Sequence, residues 1–148
     1  MTKVKIRQGD WVVACDGRKA LILQNAGDEM FPNLQTKEVY EQSNPITSAQ
    51  GSDAPGRAFG SVGRARSAVE QTDWHDEQEK AFLVDLAGRL DAAVGAGEAR
   101  RIVMIAPPRA LGILRPAYSP QLRQAIALEI DKDFVRLPVY EIEKHLAA

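Results

Sequence analysis

Apolar residues form short continuous runs near the amino terminus and recur at helical spacing further along the chain. The runs WVVAC (11–15) and KALILQ (19–24) flank Asp16-Gly17. An Asp-Gly pair between two apolar runs is a strong signal for an antiparallel β-hairpin. Because both runs are almost wholly apolar, we expect a sheet that is covered on both faces. The more polar stretch from Leu34 to Gln42 predicts a third strand at the edge of this sheet.

The clearest helical pattern extends from about Trp74 to Val94. Thr72 and Asp73 are candidate N-cap residues, and acidic residues follow in the first turns, where the helix dipole favours them. Two glycines after Val94 predict the end of this helix. The apolar residues at helical spacing are Phe82, Leu83, Leu86, Leu90 and Val94. On the exposed side, Asp85 and Arg89 have the spacing of an i,i+4 ion pair.

The remaining elements follow in the carboxyl-terminal part of the chain. IVMI (102–105) predicts a buried strand, and the strand–helix–strand order predicts a parallel pairing with a right-handed crossover. Residues 109–114 predict a short helix, and Ser119-Pro120 predicts the start of another. Leu122, Ile126 and Ile130 continue that second helix at i,i+4 spacing, and a last helix follows Pro138.

Together these elements predict a single α/β domain. Its mixed sheet has about four strands: an N-terminal antiparallel hairpin or meander, plus a strand after a crossover helix, with further helices packed on the sheet. We expect residues 1–9 to be a frayed or loosely docked arm, and residues 43–72 to be a long loop rich in glycine and arginine. A short helical turn over 64–70 is an alternative for the end of that loop.

The loop carries the strongest candidates for a binding site. Arg57, Arg64 and Arg66 lie among several glycines. Arginine offers a fork of donors for phosphate oxygens, and glycine lets backbone N–H groups approach closely. The alternative is that these arginines pair with nearby carboxylates and hold the loop in shape. Trp74 follows the loop and is a candidate for stacking on a nucleic-acid base.

Two further positions have alternative interpretations. Arg109 follows the buried strand, at the place where open α/β sheets bind ligands, so it is a candidate for ligand or RNA contact, with a salt bridge as the alternative. Asp73 and His75 form a possible polar site, with Asp76 and Glu79 close by. Ordinary helix capping explains these acidic residues more simply than acid–base chemistry does, and we expect no metal and no cofactor.

Charge and composition limit the classes of partner and the cellular compartment that we expect for this chain. The chain has 148 residues and a formal net charge of −1, so any nucleic acid must be recruited by a local basic patch, and we expect no DNA partner. The single cysteine, Cys15, lies in an apolar run and is predicted to be an inert core thiol. The sequence has neither a signal-peptide pattern nor a long apolar span. We therefore expect a cytoplasmic protein with no membrane partner.

Several blocks in order resemble one family. They are the WVV strand, PGR-x-F (55–59), Arg-x-Ala-x-Glu (66–70), APPRALGILRP (106–116) and EIDKDFVRLPVYEIEKHL (129–146). From Asp10 to His145 the chain is similar to the bacterial host attachment protein family. That family is itself similar to the middle domain of archaeal and eukaryotic class-1 peptide-chain release factors.

The resemblance implies a release-factor-like fold and a role either at the ribosome or in attachment to host cells. The release-factor domain hydrolyses peptidyl-tRNA with a Gly-Gly-Gln loop, and this chain has only the reversed pair Gln50-Gly51. We therefore expect a module that binds ribosomal RNA or tRNA without that hydrolysis. One alternative is a hydrolase of an ester or phosphodiester that uses the loop with Gln50, Asp73 or His75. Another is a protein that acts directly or indirectly in attachment. The sequence leaves the oligomeric state open.

Overall fold

A computed structural model describes residues 4–42 and 64–147, and for residues 64–73 it describes the backbone alone. Within these ranges the chain begins with three strands, β1 (Trp11–Cys15), β2 (Lys19–Asn25) and β3 (Leu34–Glu41). A long helix, α1 (Arg64–Gly95), precedes β4 (Ile102–Ile105). The remaining elements are α2 (Pro108–Ala117), α3 (Pro120–Ala125), β5 (Ile126–Ile130) and α4 (Val139–Ala147).

The strands of the described ranges form one mixed sheet in the order β3-β2-β1-β4-β5. β1 pairs with β2 antiparallel, as the hairpin signal predicted, and β2 pairs with β3 antiparallel at the edge of the sheet. On its other side β1 pairs with β4 parallel, and β4 pairs with β5 parallel. The predicted α/β class and mixed sheet are confirmed, with five strands in place of about four.

Both faces of the sheet are covered. Alternate residues of β1, Trp11, Val13 and Cys15, lie in a core with α1, α2 and α3. The intervening Val12 and Ala14 lie in a second core with α4. This alternation follows from the two-residue period of a strand, and it explains why β1 is apolar at every position.

The amino-terminal arm is docked from Val4 onward. The Ile6 side chain is buried in the α4 core, and the Val4 N–H donates to the Leu146 carbonyl at 3.1 Å. Residues 4–9 therefore pack on the folded domain, and the rest of the predicted arm, 1–3, lies outside the described residues.

The prediction of one continuous helix over Leu122, Ile126 and Ile130 is wrong. The helix ends at Ala125, and the next five residues form β5 beside β4. Short apolar runs satisfy helical and strand patterns equally. Here the backbone pairing with buried β4, together with the β-branched Ile126 and Ile130, favours the strand.

The start of α1 also differs from the prediction. The helix begins at Arg64, so residues 64–72 are helical and Thr72 and Asp73 lie inside it, where neither can be an N-cap. The sequence between Arg64 and Thr72 lacks glycine and proline and contains several good helix formers, so nothing stops the helix there. The remainder of the predicted loop, 43–63, lies outside the described residues.

No helix in the described ranges combines the length and the apolar character needed to cross a membrane.

Candidate functional site

The carboxyl ends of β1 and β4 lie side by side because these two strands are parallel neighbours. Cys15 ends β1 and leads into the hairpin turn, and Ile105 ends β4 and leads into Pro107 and α2. In open α/β sheets this edge is where ligands bind. The residues after these two strands therefore form the candidate site.

The hairpin turn is held in one shape by Asp16. Its Oδ1 accepts hydrogen bonds from the backbone N–H groups of Arg18 and Lys19, each at 2.8 Å. Gly17 packs closely against α1: a Cβ added there would lie 2.8 Å from the Cγ and Cδ atoms of Glu79. Glycine thus lets the turn and the Glu79 side chain share this space.

A cleft of about 260 Å³ opens between the turn, α1 and the start of α2. We call it the carboxyl-end cleft. Its charged lining residues are three arginines and two carboxylates: Arg18, Arg109, Arg136, Asp16 and Glu79. The formal charge of this set is +1, in a chain whose net charge is −1.

Arg109 is held by carboxylates of α1. Its Nη2 donates to Asp76 Oδ1 at 2.7 Å, and its Nε donates to Glu79 Oε1 at 3.1 Å. The bonds to Asp76 and Glu79 raise the pKa of Arg109, which stays charged. The salt-bridge interpretation of Arg109 is thus confirmed, and its contact with a ligand stays a prediction.

Arg18 and Arg136 differ from Arg109, since neither forms an ion pair within residues 4–42 and 64–147. Sequence reasoning missed both. Arg18 could have been found, because it follows Asp16-Gly17 directly at the predicted end of a strand. Arg136 could not, since its position depends on β5, which the sequence pattern assigned to a helix.

The other predicted binding residues are only partly described. Arg57 lies outside the described residues. Arg64 and Arg66 lie in the first turn of α1, and their side chains are among those not described. Trp74 is 42 % exposed on α1, so it is accessible for stacking. Phosphate or RNA contact by these four residues stays a prediction.

The polar site proposed at Asp73 and His75 gains little from the geometry. The backbone of Asp73 lies inside α1, and its side chain is not described. His75 is exposed, with its ring centroid 5.7 Å from that of Trp74. The neighbouring acids Asp76 and Glu79 bond to Arg109. An activated base needs a hydrogen-bonded partner that orients it, and none is present for His75 in the described part of the chain.

Neither a cluster of metal ligands nor a reactive thiol is present in the described ranges. Across the described ranges, no group of three or more His, Cys, Asp or Glu side chains could hold a metal ion. Cys15 is fully buried, and burial, with a smaller effect from Asp16, raises the pKa of its thiol to about 12. Since the thiolate is the reactive form, the prediction of an inert core thiol is confirmed.

A second polar cluster lies between the edge strand β3 and α1. Arg89 donates to the Glu38 carboxylate and to the Tyr40 hydroxyl, and a weaker contact joins it to Glu98. The predicted Asp85–Arg89 pair is wrong, because Arg89 points to the strand and reaches partners there. This cluster ties β3 to α1, and its groups stabilise the fold at the sheet edge.

Comparison with protein families gives one match over most of the chain. A family model with the description "Protein required for attachment to host cells" (Host_attach) matches residues 11–146. Comparison with curated proteins found no match. The matched range includes every residue of the carboxyl-end cleft.

Proposed function

This chain belongs to the family of proteins required for attachment to host cells, and we propose that it acts as a binding module for phosphate-bearing ligands. The observation that supports this proposal is the gathering of Arg18, Arg109 and Arg136 on the carboxyl-end cleft. Guanidinium groups bind phosphate oxygens through paired hydrogen bonds. Two of these three arginines have no carboxylate partner in the described part of the chain.

The start of α2 adds to the attraction for anions at the same cleft. Pro107 and Arg109 line the cleft, and no side-chain cap is present at the α2 N-terminus. Pro107 and Pro108 have no N–H, so the N-terminus of α2 offers an anion the N–H groups of Arg109 and Ala110, together with the positive end of the helix dipole. A phosphate group in the cleft would therefore meet arginine side chains and a helix N-terminus together.

We propose the phosphate backbone of a structured RNA, tRNA or ribosomal RNA, as the ligand, bound in the cytoplasm without covalent chemistry. This is the ligand class that the resemblance to release-factor middle domains implies. Arg57, Arg64 and Arg66, which precede or begin α1, are proposed as a second group of phosphate contacts, with Trp74 as a stacking residue. Such a module needs no activated base, which agrees with the surroundings of His75.

The test is binding of labelled tRNA and of ribosomes across a salt series. We expect affinity to fall with salt, and Arg18→Ala/Arg136→Ala to weaken binding at least about tenfold and to reduce the logarithmic salt slope by about 2. Arg100→Ala/Lys144→Ala is the matched control, because it removes the same charge from exposed positions outside the cleft. Absence of binding by the wild type at low salt would refute the proposal. Equal loss in both variants would refute the assignment to the cleft.

The family description favours a second candidate, direct action in attachment to host cells. This candidate requires the protein at the bacterial surface. Fractionation and surface labelling in the source bacterium would test it, together with an adhesion assay of a deletion strain. The deletion strain would also be complemented with the wild type or with Arg18→Ala/Arg136→Ala. If only the wild type restores adhesion, and all of the protein is found in the cytoplasm, the cleft acts in attachment indirectly.

A further inference from the structure

The loop between β2 and β3, residues 26–33, places two large apolar side chains in solvent. Met30 and Phe31 are 76 % and 77 % exposed, the highest values for large apolar residues in the described ranges. Single exposed apolar residues are ordinary on protein surfaces. Met30 and Phe31, however, are adjacent in one loop, and each is more exposed than every other large apolar side chain in the described ranges. The packing of this fold does not explain their exposure.

A buried amide, that of Asn25, holds the loop in one conformation. Asn25 is only 1 % exposed, and its Nδ2 donates to the carbonyls of Ile6 at 3.0 Å, of Arg7 at 3.2 Å and of Asp28 at 3.3 Å. Its Oδ1 accepts from the N–H groups of Gly27 and Asn33, at 2.9 and 2.8 Å. One side chain thus fixes both ends of the loop and the arm beside it.

The residues that carry the two apolar side chains are fixed as well. Asp28 Oδ1 accepts from the N–H groups of Met30 at 3.0 Å and Phe31 at 2.7 Å. A Cβ added to Gly27 would lie 2.1 Å from the Phe31 carbonyl oxygen, so the backbone passes itself too closely for any other residue. The exposure of Met30 and Phe31 is therefore built into the loop, and a backbone that is already ordered loses little further entropy on binding.

Charges of both signs flank the two apolar side chains. Lys5 and Arg7 of the arm line one shallow depression together with Asp28, Glu29 and Met30 of the loop, and Phe31 follows Met30 directly. Together these four charges cancel. An anionic membrane would meet two carboxylates beside the apolar side chains, so this surface is poorly suited to it.

We propose that this surface is a two-fold interface between two copies of this chain. We call it the Met30–Phe31 tip, formed by Lys5, Arg7, Glu29, Met30 and Phe31. A two-fold interface must be complementary to itself. In the proposed arrangement the axis passes by the apolar side chains and separates the arm from the loop, so that the basic arm of each copy faces the acidic loop of the other.

The position of the tip is compatible with the carboxyl-end cleft. β2 runs antiparallel to β1, so the end of β2 lies at the amino end of β1 and the cleft lies at the opposite end. Dimerisation would thus leave the cleft open. The tip is smaller than a standard interface of about 20–30 residues a side, so we expect a weak dimer that forms with rising concentration.

Sedimentation velocity on the full chain, from about 1 μM to about 1 mM, covers the range of such weak dimers. We expect a monomer–dimer equilibrium that Met30→Ser/Phe31→Ser weakens by at least about 100-fold. Tyr140→Ser is the matched control, because Tyr140 is an exposed aromatic residue on α4, and it should leave the equilibrium unchanged.

A charge exchange tests the two-fold arrangement separately. Arg7→Glu and Glu29→Arg should each weaken the dimer at low salt, and the double variant should recover it, since each basic position would again face an acidic one. A monomer over the whole concentration range, or a dimer that keeps its affinity in Met30→Ser/Phe31→Ser, would overturn the proposal. So would Phe31-dependent binding to phosphatidylserine vesicles by a chain that stays monomeric.

Discussion

Asn25 shows how much of a loop can depend on one residue. Asn25→Ala would leave the part-buried N–H groups of Gly27 and Asn33 without their acceptor, and the carbonyls of Ile6, Arg7 and Asp28 without their donor. We expect the free energy of unfolding to fall by about 2–3 kcal/mol, the range for losing buried hydrogen-bond partners. Urea denaturation would measure this loss. Asn33→Ala removes an exposed side chain and is the control, and an equal loss there would contradict the role given to Asn25.

The ionisation of one residue, Glu38, makes the free energy of unfolding depend on pH. The hydrogen bonds from Arg89 hold its pKa below the ordinary value of 4.5. A carboxyl group with a lowered pKa stabilises the folded state above the unfolded pKa, and this contribution is lost as the pH falls through the folded pKa.

Comparison with Glu38→Gln isolates this contribution. The wild type should be more stable by about 1 kcal/mol at neutral pH, and the difference should shrink as the pH falls below about 4.5. Urea denaturation at a series of pH values would follow it, with Glu41→Gln on the same strand as the control. If the stability difference between the wild type and Glu38→Gln grew toward low pH, the lowered pKa of Glu38 would be contradicted.

At the level of elements, the short helix α3 begins at a capped residue, Ser119. α3 has six residues, too few to be stable alone, and the Ser119 hydroxyl accepts from the Leu122 N–H at 3.0 Å. Ser119→Ala should lower the free energy of unfolding by about 1 kcal/mol, as for other N-cap losses. Thermal unfolding would detect this, and Gln124→Ala, an exposed change in the same helix, should have a smaller effect.

The elements also show what the sequence can predict. The hairpin, β4 and α4 have local signals that agree with their environment: Asp16-Gly17, the IVMI run and Pro138. β5 has no such signal, because its strand conformation depends on pairing with a β4 that is distant in sequence. For the same reason the sequence predicts only part of the cleft. Arg18 and Arg109 follow strands that the sequence predicts, whereas Arg136 follows β5, which it does not.

At the level of the whole molecule, Cys15 reports on unfolding. It is fully buried at the end of the central strand, and its thiol has a pKa of about 12. A thiol reagent should therefore react only with molecules that have unfolded. Under native conditions we expect labelling of Cys15 to be about 10³-fold or more slower than labelling of the denatured chain. The labelling rate should rise with urea in parallel with global unfolding. Fast labelling that is independent of urea would indicate local opening at β1.

The central place of β1 has a consequence for the newly made chain. β2 follows β1 directly, but β4 is completed only when Ile105 is added, 90 residues after Cys15. At synthesis rates of roughly 5–20 residues per second, this delay is about 5–18 s. Throughout it one side of the WVVAC strand has no partner, and an unpaired apolar edge is a template for aggregation. A chain that stalls before Ile102 should therefore depend on chaperones to stay in solution.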